Sequence, residues 1–202
     1  MIAILDYGVG NLGSLVNMFK RIGSAVTVES DLEILQSADK IVLPGVGAFD
    51  TAMTKINEAP GLRDVLDQIA LVDRKPILGV CLGMQLVTDG SDEGVLPGLG
   101  WISGRANRFP AIQGLKIPHM GWNTATSSSS HALTVGADDD SRYYFAHSYY
   151  VTVNDRADSI MKTHHGIDFD SAINHANISG VQFHPEKSHR FGMQILRNFA
   201  SD

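Results

Sequence analysis

A single cysteine, Cys81, lies in a sequence context that suits a nucleophile. It follows the apolar run at residues 76–80 and is flanked by Gly79 and Gly83, in the pattern G-x-C-x-G. Between a strand and a helix, this pattern forms a strained turn that projects the nucleophile above a sheet, and the helix N-terminus favours a thiolate. A lone cysteine is often only a small buried hydrophobe. This context instead indicates a reactive thiol.

A candidate base for this thiol lies near the C-terminus, where His184 and Glu186 flank Pro185. A thiol nucleophile needs a base, and the base needs a group that orients it. If the segment is extended, side chains two residues apart point to the same side, and the stiff proline holds imidazole and carboxylate together. His-x-Glu alone is a weak signal, but with the turn at Cys81 it predicts a Cys-His-Glu triad. No His/Cys spacing in the sequence indicates a zinc site.

Backbone donors for the oxyanion of acyl transfer are predicted in two turns. The N–H of Leu82, directly after the cysteine, is the first candidate. The second turn, PGVG at residues 44–47, ends another predicted parallel strand, at the edge where open α/β sheets bind ligands. We expect its amides to supply further donors, although an ordinary strand-to-helix turn explains this segment equally well on its own.

Residues 8–13 match the pattern G-x-G-x-x-G of dinucleotide-binding turns, after a predicted strand and before a predicted helix. Glycines there let the backbone approach a pyrophosphate at a helix N-terminus, and Glu29 ends the next predicted strand. The alternative is a tight turn that needs glycine for its backbone angles. With 20 glycines in the chain, such short patterns arise by chance, so a dinucleotide site is the weaker interpretation.

The first half of the chain must position these groups, and it alternates short apolar runs with helical patterns, as in β-α units that build a parallel sheet. Apolar residues between Leu12 and Ile22 recur at helical spacing, with Asn11 as candidate N-cap and Gly23 just past the end. We predict strands at Ile2–Leu5, Val26–Glu29, Lys40–Leu43 and 76–80. We predict further helices at 32–37, 48–57, 61–71, 84–90 and 188–200.

The second half contains short β-rich stretches separated by polar turns, such as 142–145 and Tyr149–Val153. Residues 127–130 and 138–140 are predicted to be exposed loops, and His131, His164 and His165 are expected in loops as well. The predicted fold class is therefore α/β, an open mixed, mainly parallel sheet flanked by helices, with an antiparallel β portion in the C-terminal half. We expect one domain over residues 1–202.

The overall composition excludes several classes of partner. With 16 Lys+Arg against 22 Asp+Glu in 202 residues, the net charge of -6 argues against nucleic acid. No apolar run approaches the roughly 18 residues of a membrane span, and the N-terminus lacks a signal-peptide pattern. A lone cysteine cannot form an internal disulfide, which fits a reducing compartment. We therefore expect a cytoplasmic protein without membrane or nucleic-acid partners.

Together these motifs resemble the class I glutamine amidotransferases, from Asp6 to Phe199. The resemblance is carried by PGVG at 44–47, GVCLGMQ at 79–85 and HPE at 184–186. More narrowly, the chain resembles the glutaminase subunits of imidazole glycerol phosphate synthases, through DYGVGNL at 6–12, PHMGWN at 118–123, HSY at 147–149 and HPEKS at 184–188. The PHMGWN segment is not expected in the related domains of guanylate, anthranilate and carbamoyl phosphate synthesis.

The resemblance implies roles for individual residues. Cys81 would attack the side-chain amide of glutamine to give a γ-glutamyl thioester and ammonia, while His184 moves protons and Glu186 orients it. The peptide at Val46 would reorient before its N–H joins that of Leu82 in the oxyanion hole. The glutamine pocket would contain Gly47, Gln85, His147, Ser148 and Tyr149.

The resemblance also implies a partner, a (β/α)₈-barrel cyclase that receives the ammonia and acts as an allosteric switch. A barrel of roughly 250 residues does not fit in this chain, so the cyclase would be a separate polypeptide, in a heterodimer. The docking face would include Asn11, Met120, Trp122 and Lys187. No cofactor and no metal are expected.

Two small departures from the family pattern are Val80, where isoleucine is more usual, and the polar loop at residues 127–140. Three other functions remain open at this point. The chain could be a cysteine hydrolase that acts on γ-glutamyl compounds without a partner, a dinucleotide-binding module, or a scaffold protein with an inactive site. The intact Cys81, His184 and Glu186 argue against the last.

Overall fold

The structure, a computed structural model, describes residues 1–201 of the chain. Its first part contains β1 (Ile2–Leu5), α1 (Leu12–Arg21), β2 (Val26–Glu29), α2 (Leu32–Ser37), β3 (Lys40–Leu43), α3 (Phe49–Glu58), α4 (Leu62–Asp67), β4 (Ile77–Val80) and α5 (Leu82–Leu86). There follow β5 (Gly104–Arg108), β6 (His119–Thr124), β7 (Thr126–Ser127), β8 (Arg142–His147), β9 (Tyr149–Val153), β10 (Ser159–His165), β11 (Ile167–His175), β12 (Ile178–Val181) and α6 (His189–Ser201). None of the helices within residues 1–201 combines the length and apolar character that crossing a membrane requires.

The strands form one large mixed sheet in the order β2-β1-β3-β4-β12-β11-β10-β7, and β9 pairs with both β11 and β5. The five strands from β2 to β12 are parallel to one another, whereas β11, β10 and β7 continue the sheet antiparallel. Strands β6 and β8 form a separate antiparallel pair. These pairings confirm the predicted fold class, an α/β sheet with an antiparallel portion in the C-terminal half.

The inner strands of the parallel sheet are covered on both faces, which explains why β1 and β4 are continuous buried apolar runs. In β3, Ile41 and Leu43 belong to one hydrophobic core, and Val42 between them belongs to the core on the other face. The first core includes Phe49 of α3, and the second includes Phe199 of α6. This burial fixes where β3, β4 and β12 end. It therefore also fixes the positions of the segments that follow them, which are the PGVG turn, the turn at Cys81 and the HPE segment.

The predicted longer helices are confirmed, but the bounds of the helix after Cys81 and the form of the helix predicted at 61–71 are wrong. The predicted helix at 84–90 is instead α5, which begins at Leu82, and the predicted helix at 61–71 consists of α4 and a π-helical turn, Gln68–Val72. Asn11 stands at the N-cap position of α1 but its side chain makes no capping bond. Burial of Leu15 and Phe19 stabilises α1 in its place.

In the second half, the predicted β stretches are confirmed, but two histidines lie in a strand and not in a loop. His164 and His165 end β10 and pair with the start of β11 across a turn at Gly166, whose φ is 71°. His164 Nδ1 lies 2.6 Å from Asp168 Oδ1 in this hairpin. The exposed loops at 128–130 and 138–140 are as predicted, whereas Ser127 belongs to the short strand β7.

Candidate active site

Cys81 lies in the sharp turn between β4 and α5, as the sequence pattern predicts. Its φ of 54° is in the region that side chains rarely adopt, and its N–H is bonded to the carbonyl of Val181 at 2.8 Å. A Cβ on Gly83 would lie 1.9 Å from the carbonyl oxygen of Leu43, and one on Gly79 would lie 2.6 Å from that of Gly83. The flanking glycines are therefore required because α5 packs directly on the sheet.

His184 and Glu186 form a buried pair, with 2.8 Å between Nδ1 and Oε1. The predicted contact exists, but the predicted extended geometry is wrong. Pro185 begins a 3₁₀ turn, because its fixed φ suits a first helical position, and Lys187 N–H bonds back to the His184 carbonyl at 3.1 Å. The Ser188 hydroxyl donates to the same carbonyl at 2.6 Å, which fixes the backbone that carries the imidazole.

The surroundings of His184 favour its protonated form. Burial is the largest single influence, and it lowers the pKa of His184. The hydrogen bonds to Cys81 and Glu186, together with the charges of these two groups, raise the pKa by more than burial lowers it. The net effect raises the pKa of His184 to about 10. Since Nδ1 is committed to Glu186, Nε2 is the nitrogen available to Cys81. The arrangement therefore places a protonated imidazole beside the nucleophile, held in orientation by Glu186.

The glycine-rich turn after β3 lies directly against the turn that carries Cys81. A Cβ on Gly45 would lie 2.8 Å from Cβ of Leu82 and 3.1 Å from the phenol oxygen of Tyr7, so only glycine fits there. Tyr7 donates to the carbonyl of Pro44 at 2.6 Å. Burial raises the pKa of Tyr7, and the charge of Cys81 raises it further, so the phenol stays a donor. Sequence reasoning missed this tyrosine, which anchors the turn.

One cavity of about 330 Å³ opens beside the cysteine. The predicted catalytic, oxyanion and pocket residues that line it are Val46, Gly47, Cys81, Leu82, Gln85, His147, Ser148, Tyr149 and His184. The carboxylate of Glu186 supports the cavity from behind, through His184. The structure thus brings together, around one cavity, groups that the sequence separates by more than a hundred positions.

Sequence reasoning missed two further polar side chains, Glu93, which lines this cavity, and Gln182, which contacts the lining residues Gln85 and Cys81. Glu93 lines the mouth, and its Oε2 accepts the N–H of Phe49 at 2.9 Å, at the start of α3. Gln182 is fully buried, accepts from Gln85 Nε2 at 3.2 Å, and places its own Nε2 3.8 Å from Cys81 Sγ. The sequence did offer a signal for Gln182, because it is a polar residue within the apolar run that precedes the HPE segment. Glu93 lies in an irregular loop without any such signal.

Three of the four predicted interface residues form one exposed patch beside the cavity, which we call the docking patch: Met120, Trp122 and Lys187. Met120 is 65% and Trp122 46% exposed. Met120 and Lys187 both line the cavity mouth, and the ammonium of Lys187 lies 5.5 Å above the ring of Tyr144, which also contacts Trp122. Asn11 is exposed at the start of α1, and within residues 1–201 no hydrogen bond or ring contact joins it to the patch.

The G-x-G-x-x-G turn is held by two side chains from outside it, those of Asp6 and Lys55. Gly8 donates its N–H to Asp6 Oδ1 at 3.0 Å, and Lys55 Nζ donates to the carbonyl of Gly8 at 2.7 Å. A carboxylate thus takes a donor that a phosphate would need, which favours the tight-turn interpretation. Over residues 1–201 no group of His, Cys, Asp or Glu is arranged to hold a metal ion.

Comparison with known proteins identifies the family. A model of class-I glutamine amidotransferases matches residues 3–202. The chain is 45% identical over 203 residues to the imidazole glycerol phosphate synthase subunit HisH of Bdellovibrio bacteriovorus, covering 99% of both. It is 47% identical over 199 residues to subunit HisH 2 of Methanococcus maripaludis, covering 98% of both.

The chain belongs to the HisH family of class I glutamine amidotransferases. Solved structures agree on the fold. A putative GMP synthase protein from Thermoplasma acidophilum matches with a TM-score of 0.74 at 20% identity, over 99% of this chain and 92% of that one. A second structure, described as a glutamine amidotransferase, has a TM-score of 0.72 at 14% identity, over 99% and 97%. At these identities the match concerns fold alone.

Proposed function

We propose that this HisH-family chain is a glutaminase domain, over residues 1–202, that hydrolyses glutamine to glutamate and ammonia. The observation that carries the proposal is the single cavity at which a strained cysteine, a buried His-Glu pair and a glycine-rich turn converge. Membership of the family agrees with this chemistry. We also propose a cytoplasmic location, because a chain with one cysteine and no internal disulfide fits a reducing compartment.

The reaction begins with attack of the Cys81 thiolate on the side-chain amide carbon of glutamine. The resulting oxyanion is held by the backbone N–H groups of Leu82 and Val46. His184 gives its Nε2 proton to the leaving nitrogen, and ammonia departs from a γ-glutamyl thioester. A water molecule then loses a proton to His184 and attacks the thioester, so that glutamate leaves and the thiolate returns. Glu186 keeps Nδ1 protonated and the ring oriented throughout.

Glu93 supplies the charge that a free amino acid needs at the cavity mouth, where its carboxylate would bind the α-ammonium group of glutamine. We expect Glu93→Gln to raise KM for glutamine by about tenfold or more, with a much smaller effect on kcat. The amide oxygen of the introduced glutamine can still accept the N–H of Phe49, so the loop that carries residue 93 should keep its conformation. Asp92→Asn is the matched control, because Asp92 bonds to Arg105 and lies outside the cavity lining. Equal KM values for both variants would contradict this role.

The relatives are named as subunits of imidazole glycerol phosphate synthase. We propose that the ammonia passes to a separate (β/α)₈-barrel cyclase, which uses it to form imidazole glycerol phosphate and an aminoimidazole carboxamide ribotide in histidine biosynthesis. The cyclase would dock on the docking patch and near Asn11, and its ligand would complete the oxyanion hole at Val46. An exposed aromatic and methionine beside a cavity mouth fit such an interface.

We expect Trp122→Ala to lower partner-stimulated glutamate release by about tenfold or more while leaving the thermal unfolding midpoint nearly unchanged. The indole is half exposed and stacks on His189 at 5.3 Å, so its loss removes contact area for a partner and little core packing. Val72→Ala, at another exposed apolar side chain outside the cavity lining, is the control. Unchanged stimulation in the Trp122 variant would contradict the docking proposal.

Steady-state glutamate release tests the proposed function directly. The chain is measured alone, then with the cyclase, and then with the cyclase and its ribotide ligand. We expect weak release by the chain alone and strong stimulation by the liganded partner. High activity that the partner does not change would indicate a stand-alone γ-glutamyl hydrolase. No release under any condition would overturn the glutaminase proposal.

A further inference from the structure

A row of hydrogen-bonded side chains runs behind the glutamine pocket, from strand β6 to the carbonyl of Tyr149. Asn123 Nδ2 lies 3.1 Å from His119 Nε2, His119 Nδ1 lies 3.0 Å from His147 Nε2, and His147 Nδ1 lies 2.7 Å from the Tyr149 carbonyl. Both histidines are buried. The proposed mechanism uses neither His119 nor Asn123, although buried polar groups of this kind are costly unless fully bonded.

Chemistry fixes the direction of every bond in this row. The Tyr149 carbonyl can only accept, so Nδ1 of His147 carries a proton and Nε2 of a neutral His147 must accept. His119 therefore donates from Nδ1, and its own Nε2 accepts from the amide of Asn123. That amide nitrogen also donates to the carbonyl of His164 at 2.9 Å, while Asn123 Oδ1 accepts the N–H of Thr124 at 2.8 Å. The amide orientation is thereby fixed as well.

The packing around the two rings keeps them neutral. His119 is stacked between Phe145, at 4.6 Å, and His165, at 4.1 Å. Burial is the main cause that lowers the pKa of His119 to about 4 and that of His147 to about 3. Near pH 7 each ring thus holds one proton, and the row has a single consistent arrangement.

The row continues from the Tyr149 carbonyl to the nucleophile. That carbonyl also accepts from Gln85 Nε2 at 3.3 Å, and the same amide donates to Gln182 Oε1 at 3.2 Å. The Gln182 amide then reaches Cys81 Sγ at 3.8 Å. The wall of the pocket and the amide beside the thiol are therefore held in one connected network.

We infer that His119 and Asn123 are positioning residues, which lock His147 in the Nδ1–H tautomer and so hold the Tyr149 carbonyl and the Gln85 amide in the geometry that binds glutamine. This role rests on the proposed function. Side chains alternate along β6, so Met120 and Trp122 of the docking patch are exposed, whereas His119 is buried against Phe145 and His165. A partner that shifts β6 acts on the substrate pocket through this row.

A matched pair of substitutions at His119 tests the positioning role. His119→Leu removes the donor, and we expect it to raise KM for glutamine by about tenfold or more, with a smaller change in kcat. His119→Asn places an amide N–H at the position of Nδ1, and it should bring KM back to within about threefold of wild type. Both are measured in the complex with the cyclase. Equal KM for wild type and the leucine variant, or equal KM for the two variants, would overturn the inference.

A readout without activity separates this inference from the proposed function. The ¹⁵N shifts of the ring nitrogens should report the Nδ1–H tautomer for both His119 and His147 in the full-length chain between about pH 5.5 and 8. Asn123→Asp is nearly isosteric but turns the donor into an acceptor, so Nε2 of His119 should gain a proton. An Nε2–H tautomer or an imidazolium in the wild-type rings overturns the positioning role, even if glutaminase activity is high. Lack of glutaminase activity with the expected shifts overturns the proposed function alone.

Discussion

Cys81→Ala is expected to reduce partner-stimulated glutamate release by at least about a thousandfold. The substitution removes the one atom that forms the thioester, and no other thiol exists in the chain. Assembly with the cyclase should persist, because Cys81 lies at the base of the cavity and outside the docking patch. Loss of assembly together with activity would instead mean that the cysteine is structural.

The strained backbone at this position provides a control that separates folding from chemistry. With a φ of 54°, alanine keeps the Cβ that causes the strain, whereas glycine removes it. We expect Cys81→Gly to be as inactive as Cys81→Ala but more stable, by roughly 1 kcal/mol in the free energy of unfolding from urea denaturation. Equal stability of the two inactive variants would contradict storage of strain at the nucleophile.

The parallel half of the fold could be predicted from the sequence because each element there has its own local signal. Strands buried on both faces are continuous apolar runs, as in residues 41–43 of β3, and α1 shows a clear helical period. The glycines around Cys81 also have a local cause, the close packing of α5 on the sheet. The exact position of α5 could not be predicted, because it has five residues, all buried, and therefore no polar face.

Site residues that lie close together in the sequence could be predicted. Site residues that meet only through tertiary contacts could not. His184 and Glu186 are two residues apart, so the pair was found although the turn that joins them was not expected to be 3₁₀. Tyr7 meets the glycine-rich turn only because β1 and β3 are neighbours in the sheet. His119 and His147 meet because β6 pairs with β8, in a register that no local pattern indicates.

His184→Asn is expected to lower glutamate release by about a hundredfold to ten-thousandfold. Asparagine places an N–H where Nδ1 stood, so the bond to buried Glu186 is retained and the turn keeps its packing. What disappears is the group at Nε2 that gives a proton to ammonia and takes one from water. The measurement is partner-stimulated glutamate release by His184→Asn, compared with release by Glu186→Gln, which keeps the imidazole. If the asparagine variant were the more active of the two, His184 would not be the proton carrier.

The same variant tests the charge state of the imidazole through stability. The pKa of His184 is raised from 6.5 to about 10 in the folded chain, so its protonation stabilises the fold fully below pH 6.5, and this contribution is lost as pH rises through 10. Wild type should therefore lose stability relative to His184→Asn between these pH values, as measured by urea denaturation at about pH 6, 8 and 10. A difference that stays constant or grows with pH would contradict the raised pKa of His184.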